Sequence, residues 1–164
     1  MINFDKHGSD KDTIHTYGEF YEDCLQGAHR ILEVGIQYGG SIKAMMELLP
    51  DAKFVGIDIE DIHGIDHPNF NFHHGGFEKV WPEIEGEFDV IIDDGSHELS
   101  DQLSFLLLAR PHVTPGGLMI VEDIQYPDKE LPELIAACPA GWKVKVHDWR
   151  TTRYDDVIVA FHYC

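Results

Sequence analysis

Residues 29–41 read HRILEVGIQYGGS. Apolar residues dense enough for a buried strand run to Val34, glycines follow at 35, 39 and 40, and a new apolar pattern starts at Ile42. The spacing predicts a strand over 29–34 and a helix over 39–49, stopped by Pro50. Glycines between a strand and a helix N-terminus allow a tight turn and close backbone approach to a ligand. Such turns are common, so the rest of the chain has to give this one meaning.

The same alternation recurs downstream. Strands are predicted over 53–59 (KFVGIDI), 69–73 (NFNFH), 88–93 and 116–122 (GGLMIVE). Helices are predicted over 77–84, 98–110 and 129–138, with Leu103, Leu106 and Leu107 as a core stripe. After 138 the order changes: 142–149 and 156–163 are β-rich with only the turn-like TTRYD nearby, which predicts an antiparallel hairpin. Near-continuous apolar strands fit a sheet covered on both faces. The fold class is therefore α/β, doubly wound, with a further helix over 13–25 lying beside the sheet.

Composition narrows the function. The 164 residues suit one domain, and 43% hydrophobic content suits a packed core. Twelve Lys and Arg stand against 30 Asp and Glu, a formal net charge of −18. Such a surface repels phosphate backbones and anionic lipid, so neither nucleic acid nor membrane is an expected partner. No stretch approaches the ~20 apolar residues of a bilayer span, and the N-terminus is not of signal-peptide type. Cys24, Cys138 and Cys164 have no metal-binding spacing and are expected as reduced thiols. The expected location is the cytoplasm.

Asp58 ends the second strand in FVGIDIED, about 20 residues after the glycine loop. An acid there can accept both ribose hydroxyls of a nucleoside. The glycine loop, Asp58 and the terminal hairpin together resemble the class I S-adenosylmethionine-dependent methyltransferases. That resemblance implies a Rossmann-like seven-stranded sheet of order 3-2-1-4-5-7-6. It also implies S-adenosylmethionine as cofactor, held by Glu33, Gly35, Gln37, Gly39 and Ser41 in the loop and by Asp58 at the ribose. On this reading residues 1–28 cap a core of 29–164, and Asp93 lies on the cofactor side. After strand three the chain reads HHGGF, without the acid that many relatives present to adenine. Adenine contact is then expected from backbone, from His74, or from Gly75 and Phe77.

The stretch 88–98, FDVIIDDGSHE, ends a strand on two carboxylates, with a histidine three residues beyond the second. Strand five ends on Glu122-Asp123. Neighbouring parallel strands are ~4.8 Å apart, so four carboxylates would converge and repel. A hard divalent cation relieves that repulsion, and oxygen ligation suits Mg2+. His97 can then act as general base on a metal-activated hydroxyl. The plainer alternative is that Asp93 or Ser96 caps the next helix and Glu122-Asp123 is a solvated loop.

These acids sharpen the resemblance towards metal-dependent O-methyltransferases of macrolide sugars and the related cephalosporin-hydroxylase-like proteins. It implies Asp94, Glu122 and Asp123 as Mg2+ ligands, His97 as the base, and a hydroxyl on a sugar or small metabolite as acceptor. The segment 5–22 resembles the one preceding the fold in that group, which marks His15, Tyr17 and Tyr21 as residues that would cap the cofactor. A homo-oligomer, with a neighbouring subunit completing the pocket, is one way to enclose a larger acceptor. Another metal-dependent or cofactor-degrading enzyme on this scaffold, or a non-catalytic binding module, stays open.

Overall fold

The computed structural model describes residues 2–62, 64–151 and 153–164. Seven strands, β1 (Arg30–Val34), β2 (Lys53–Asp58), β3 (Phe70–His74), β4 (Phe88–Asp93), β5 (Val113–Val121), β6 (Trp142–Asp148) and β7 (Val157–Tyr163), form one sheet. Its order is β3-β2-β1-β4-β5-β7-β6. The first five strands are parallel, and β7 runs antiparallel to both β5 and β6. Thr152, in the predicted turn, lies outside the described residues.

Period-two alternation divides each central strand between two cores. Ile31 of β1, Val90 and Ile92 of β4, and Leu118 and Ile120 of β5 face α2 (Gly40–Leu48) and the N-terminal segment. Leu32, Ile91, Met119 and Val121 face the other layer, built from α3 (Phe77–Val80), α4 (Leu99–Ala109) and α5 (Pro127–Ala136). A sheet buried on both faces explains the unbroken apolar runs. Among the described residues no helix is long and apolar enough to cross a membrane.

Three local readings differ. The helix expected over 13–25 is confined to α1 (Gly18–Cys24); Lys11 to Tyr17 instead form a turn closed by Tyr17 N–H to Lys11 C=O, 3.0 Å. Leu107 is 75% exposed. The buried face of α4 comprises Gln102, Phe105, Leu106 and Ala109, and one residue beyond Leu106 rotates the side chain off that face. The element at 77–84 splits into α3 and a 3-10 turn (Trp81–Glu83) with Pro82 in its first positions.

The topology switches between β1 and β4, where chain connections depart in opposite directions and ligands settle in α/β sheets. Here the two strands approach closely. Gly35 has φ 82°, and a Cβ on it would stand 1.9 Å from the Asp94 carbonyl oxygen. Gly35→Ala therefore meets both a disfavoured φ and a backbone clash, with an expected loss of about 2–4 kcal/mol in urea unfolding. A loss under about 1 kcal/mol would show that the two loops can part freely.

Candidate active site

A cavity of about 590 Å3 opens at the carboxyl ends of β1, β2 and β4, within the ~300–1,000 Å3 typical of small-molecule sites. Of the residues singled out from the sequence, Gly35, Gln37 and Asp58 line one side of it. Gly75 and Phe77 line another part, while Asp93, Asp94 and His97 line the β4 side. Asp58 is held by backbone: Oδ2 accepts the Gln37 N–H at 2.7 Å and Oδ1 the Glu60 N–H at 2.8 Å. Each oxygen retains a lone pair for an incoming donor.

Glu33, Gly39 and Ser41 lie behind the cavity rather than on its wall. Ser41 donates to Glu33 Oε2 at 2.6 Å, and Glu33 is fully buried. Gly39, at φ 72°, is covered by the Ile65 side chain, which a Cβ would meet at 2.3 Å. These three residues shape the loop from within. Ser96 accepts the Glu98 N–H at 3.3 Å and donates to the Asp101 side chain at 2.6 Å, but the N-cap of α4 is Glu98 and no side chain caps the helix. Glu122 and Asp123 are buried and not a solvated loop.

The β4 and β5 carboxylates do converge, because Asp93 pairs with Val121 and the Glu122 N–H bonds to the Asp93 carbonyl at 3.0 Å. What meets them is the N-terminal segment. Lys11, 1% exposed, places Nζ 2.7 Å from Asp94 Oδ2 and 2.7 and 2.8 Å from the two Glu122 oxygens. The Tyr21 hydroxyl donates to Glu122. The Tyr17 hydroxyl donates to Asp123 Oδ1 at 2.6 Å, and His15 Nε2 stands 3.5 Å from Asp123 Oδ2. His15, Tyr17 and Tyr21 thus bear on the β5 acids.

Electrostatics follow from this crowding. Burial lowers the Lys11 pKa, but Asp94, Glu122 and Glu33 outweigh it and raise it well above the ordinary lysine value. Burial raises Glu122 strongly, with Lys11 opposing, and raises Asp123, with neighbouring Asp94 adding to the shift. Burial lifts Glu33 to about 7 against the pull of Lys11. Asp93 is pushed up to about 7 by burial and by Asp94. Burial also raises Tyr17 and Tyr21, so both remain hydroxyl donors.

The sequence reading grouped Asp94, Glu122 and Asp123. In the structure Asp94 and Asp123 lie together with His97, one donor atom from each lying within 4.8 Å of the others. Glu122 lies with Glu33 and Asp94 at the same spacing, so that Asp94 is common to both groups. The first group fits a divalent cation: two carboxylates with waters completing the shell is how Mg2+ is ordinarily held. His97 Nε2 is 3.9 Å from Asp123 Oδ2, and its Nδ1 is buried without a hydrogen-bond partner. Gln37, His97 and Asp123 are the non-glycine residues with positive φ (47°, 59° and 53°) among those described. Strained backbone concentrates at functional sites, and here it marks the loop after β1, the base candidate and the β5 acid.

Comparison with known proteins decides the family. A family model described as a methyltransferase domain matches residues 32–124. The chain belongs to this family. It is 31% identical, over 136 residues, to the 8-demethyl-8-(2-methoxy-alpha-L-rhamnosyl)-tetracenomycin-C 3'-O-methyltransferase of Streptomyces olivaceus, covering 73% of this chain and 35% of that protein. It is 29% identical over 120 residues to the mycinamicin VI 2''-O-methyltransferase of Micromonospora griseorubida, covering 66% and 30%. The chain thus spans about a third of the length of these curated relatives. Among solved structures, the MycE methyltransferase of mycinamycin biosynthesis, in complex with Mg, SAH and mycinamycin VI, superposes with TM-score 0.74 at 23% identity, over 96% of this chain and 51% of that one. An O-methyltransferase from Bacillus cereus in complex with SAH superposes with TM-score 0.69 at 16% identity, over 91% and 81%. Both likenesses establish the seven-stranded methyltransferase fold.

The Asp93 shift has a consequence in the ligand-free protein. A carboxyl raised from 3.8 to about 7 takes up a proton on folding, so stability falls as pH rises through that interval. Asp93→Asn should raise the melting temperature much more at pH 8 than at pH 4, which is close to the unfolded-state value of 3.8. An unaltered difference between the two pH values would contradict the buried, protonated carboxyl.

Proposed function

We propose that this chain is an S-adenosylmethionine-dependent O-methyltransferase, metal-assisted, acting on a hydroxyl of a sugar or sugar-bearing small molecule. The observation that carries the reading is one cavity that joins the Gly35 loop and Asp58 to Asp94 and His97, in a chain of the methyltransferase-domain family. Residues 29–164 form the catalytic core in this reading, and 1–28 close it. The acceptor class is supported by the tetracenomycin and mycinamicin sugar O-methyltransferases among the relatives.

Asp58 accepts the ribose hydroxyls with the lone pairs its backbone bonds leave free. The Gly35–Gln37 turn lets the backbone approach the methionine portion, and Gly75 and Phe77 border the adenine end. S-adenosylmethionine would supply an electrophilic sulfonium methyl group. Asp94 and Asp123 would hold a divalent cation, which supplies Lewis-acid polarisation of an acceptor oxygen. His97 takes the hydroxyl proton as the acceptor oxygen forms its bond to the methyl carbon and the carbon–sulfur bond breaks. Asp123, 3.9 Å from Nε2, stabilises the resulting imidazolium. Positioning and charge are the protein's contributions.

Calorimetry with S-adenosylmethionine and Mg2+ tests the cofactor. Binding is expected, with Asp58→Ala weakening it about 10–100-fold, the worth of a charge-assisted hydrogen bond. No binding with or without Mg2+ would refute the proposal. On an acceptor found in a hydroxyl panel that includes rhamnosides, His97→Ala should lower turnover about 10²–10⁴-fold with cofactor affinity retained. Unchanged turnover would remove His97 from the base role, and binding without transfer to any acceptor would favour a non-catalytic module.

A further inference from the structure

The exposed tyrosines among the described residues, Tyr38, Tyr126 and Tyr154, all sit on loops at the carboxyl edge of the parallel strands. Tyr38 follows β1, beside the Gly35–Gln37 turn on the cofactor side. The other two lie across β4 from it, since β5 and β7 flank β4 on the side away from β1. Tyr126, 64% exposed, follows β5, and Tyr154, 61% exposed, precedes β7. We infer that Tyr126 and Tyr154 form the ledge that seats the sugar ring of the acceptor, outside His97 and Asp123. The assignment rests on the methyltransferase reading above and names the residues that select its acceptor.

Both tyrosines are held in place yet left uncovered. Tyr126 opens α5: its N–H donates to Glu130 Oε2 at 2.9 Å, its carbonyl accepts the Glu130 N–H at 2.9 Å, and Pro127 follows. The Tyr154 hydroxyl donates to Gln125 Oε1 at 3.0 Å, and Gln125 Nε2 donates to the Asp123 carbonyl at 3.2 Å. Gln125 thus ties the Tyr154 side chain to the loop that carries Asp123 and Tyr126. The chain around Tyr154 is anchored as well, because Asp155 is 2% exposed and accepts from Arg153 at 2.8 and 2.7 Å. Rings fixed in advance lose little freedom when a ligand settles on them. The C–H face of a pyranose is apolar and complements the negative face of an aromatic ring. A 6-deoxy sugar adds a methyl group to the area buried. Lys129 Nζ stands over the Tyr126 ring at 5.6 Å, so a sugar takes the opposite face. Charge favours the same class. Arg150 and Arg153 are already paired with Asp148 and Asp155, and the adjoining acids repel an anion, so a neutral acceptor suits this ledge better than a phosphorylated or carboxylated one.

The test uses methyl α-L-rhamnopyranoside as probe, with S-adenosylhomocysteine and Mg2+ present. Saturation-transfer NMR should show its ring C–H and methyl protons in contact with the wild-type chain. Tyr126→Ala and Tyr154→Ala should each weaken rhamnoside binding about 2–10-fold, the worth of an aromatic contact, with S-adenosylhomocysteine affinity retained by calorimetry. Tyr154→Trp should restore it. On a rhamnoside that is methylated, both alanine variants should raise KM and leave kcat within about twofold, as for a contact made equally in the ground and transition states. Equal rhamnoside binding by wild type and both alanine variants would overturn the ledge and leave the methyltransferase reading standing. A fall in kcat with KM unchanged would also overturn it. Wild type that binds S-adenosylhomocysteine but no rhamnoside would defeat the sugar-acceptor reading and the ledge with it. No binding of S-adenosylhomocysteine would defeat the methyltransferase reading itself, and the ledge with it.

Discussion

The ion pairs of Lys11 with Asp94 and Glu122 hold together a region that the sheet would otherwise drive apart. Parallel pairing of β4 and β5 puts two acidic strand ends side by side, and the register leaves them no room to separate. Water reaches the inner acids poorly, since Glu122 is 1% and Asp93 6% exposed. A buried charge left without its partner costs roughly 3–5 kcal/mol. The N-terminal segment removes that cost by bringing Lys11, His15, Tyr17 and Tyr21 onto three of the carboxylates. It is a structural component of the site and not only a cover over it.

The proposed function depends on the residual imbalance. One ammonium among Glu33, Asp93, Asp94, Glu122 and Asp123 leaves an excess of acid, some of it protonated near neutrality as burial raises Asp93 and Glu33 to about 7. The outer side of the cluster faces the cavity through Asp94 and His97. There the left-handed backbone at His97 and Asp123 turns both side chains towards one point. Rigid inner pairing and an unsatisfied outer rim are what a cation-assisted site requires.

Much of this was legible in the sequence because it depends on short-range pattern. Strand periodicity, Pro50, the Gly35 turn and the strand-end Asp58 are local signals, and the terminal hairpin follows from two β-rich runs with no helix between. The convergence of Asp94 with the β5 acids was legible too, once strands four and five were neighbours. Lys11 was not: it sits in the charged stretch DKHGSDKD, where a lysine is ordinarily solvated, and its partner Glu122 is 111 residues away. A composition argument could have found it only by asking what cation the chain itself could bring to four adjoining acids. His15, Tyr17 and Tyr21 were singled out by resemblance, yet their carboxylate partners depend on how α1 seats against the sheet, which no pattern records. The burial of Glu33 and Ser41 behind the loop likewise depends on tertiary packing.

A double-mutant cycle between Lys11 and Glu122 addresses the central claim most directly. Urea unfolding would be measured for the wild type, Lys11→Met, Glu122→Gln and the double variant. The account predicts that Lys11→Met alone is severely destabilising and that adding Glu122→Gln restores about 2 kcal/mol or more, a coupling of the size seen for buried charges in contact. Additive effects, within about 0.5 kcal/mol, would mean that the two charges do not depend on each other and that the site is held together by something else.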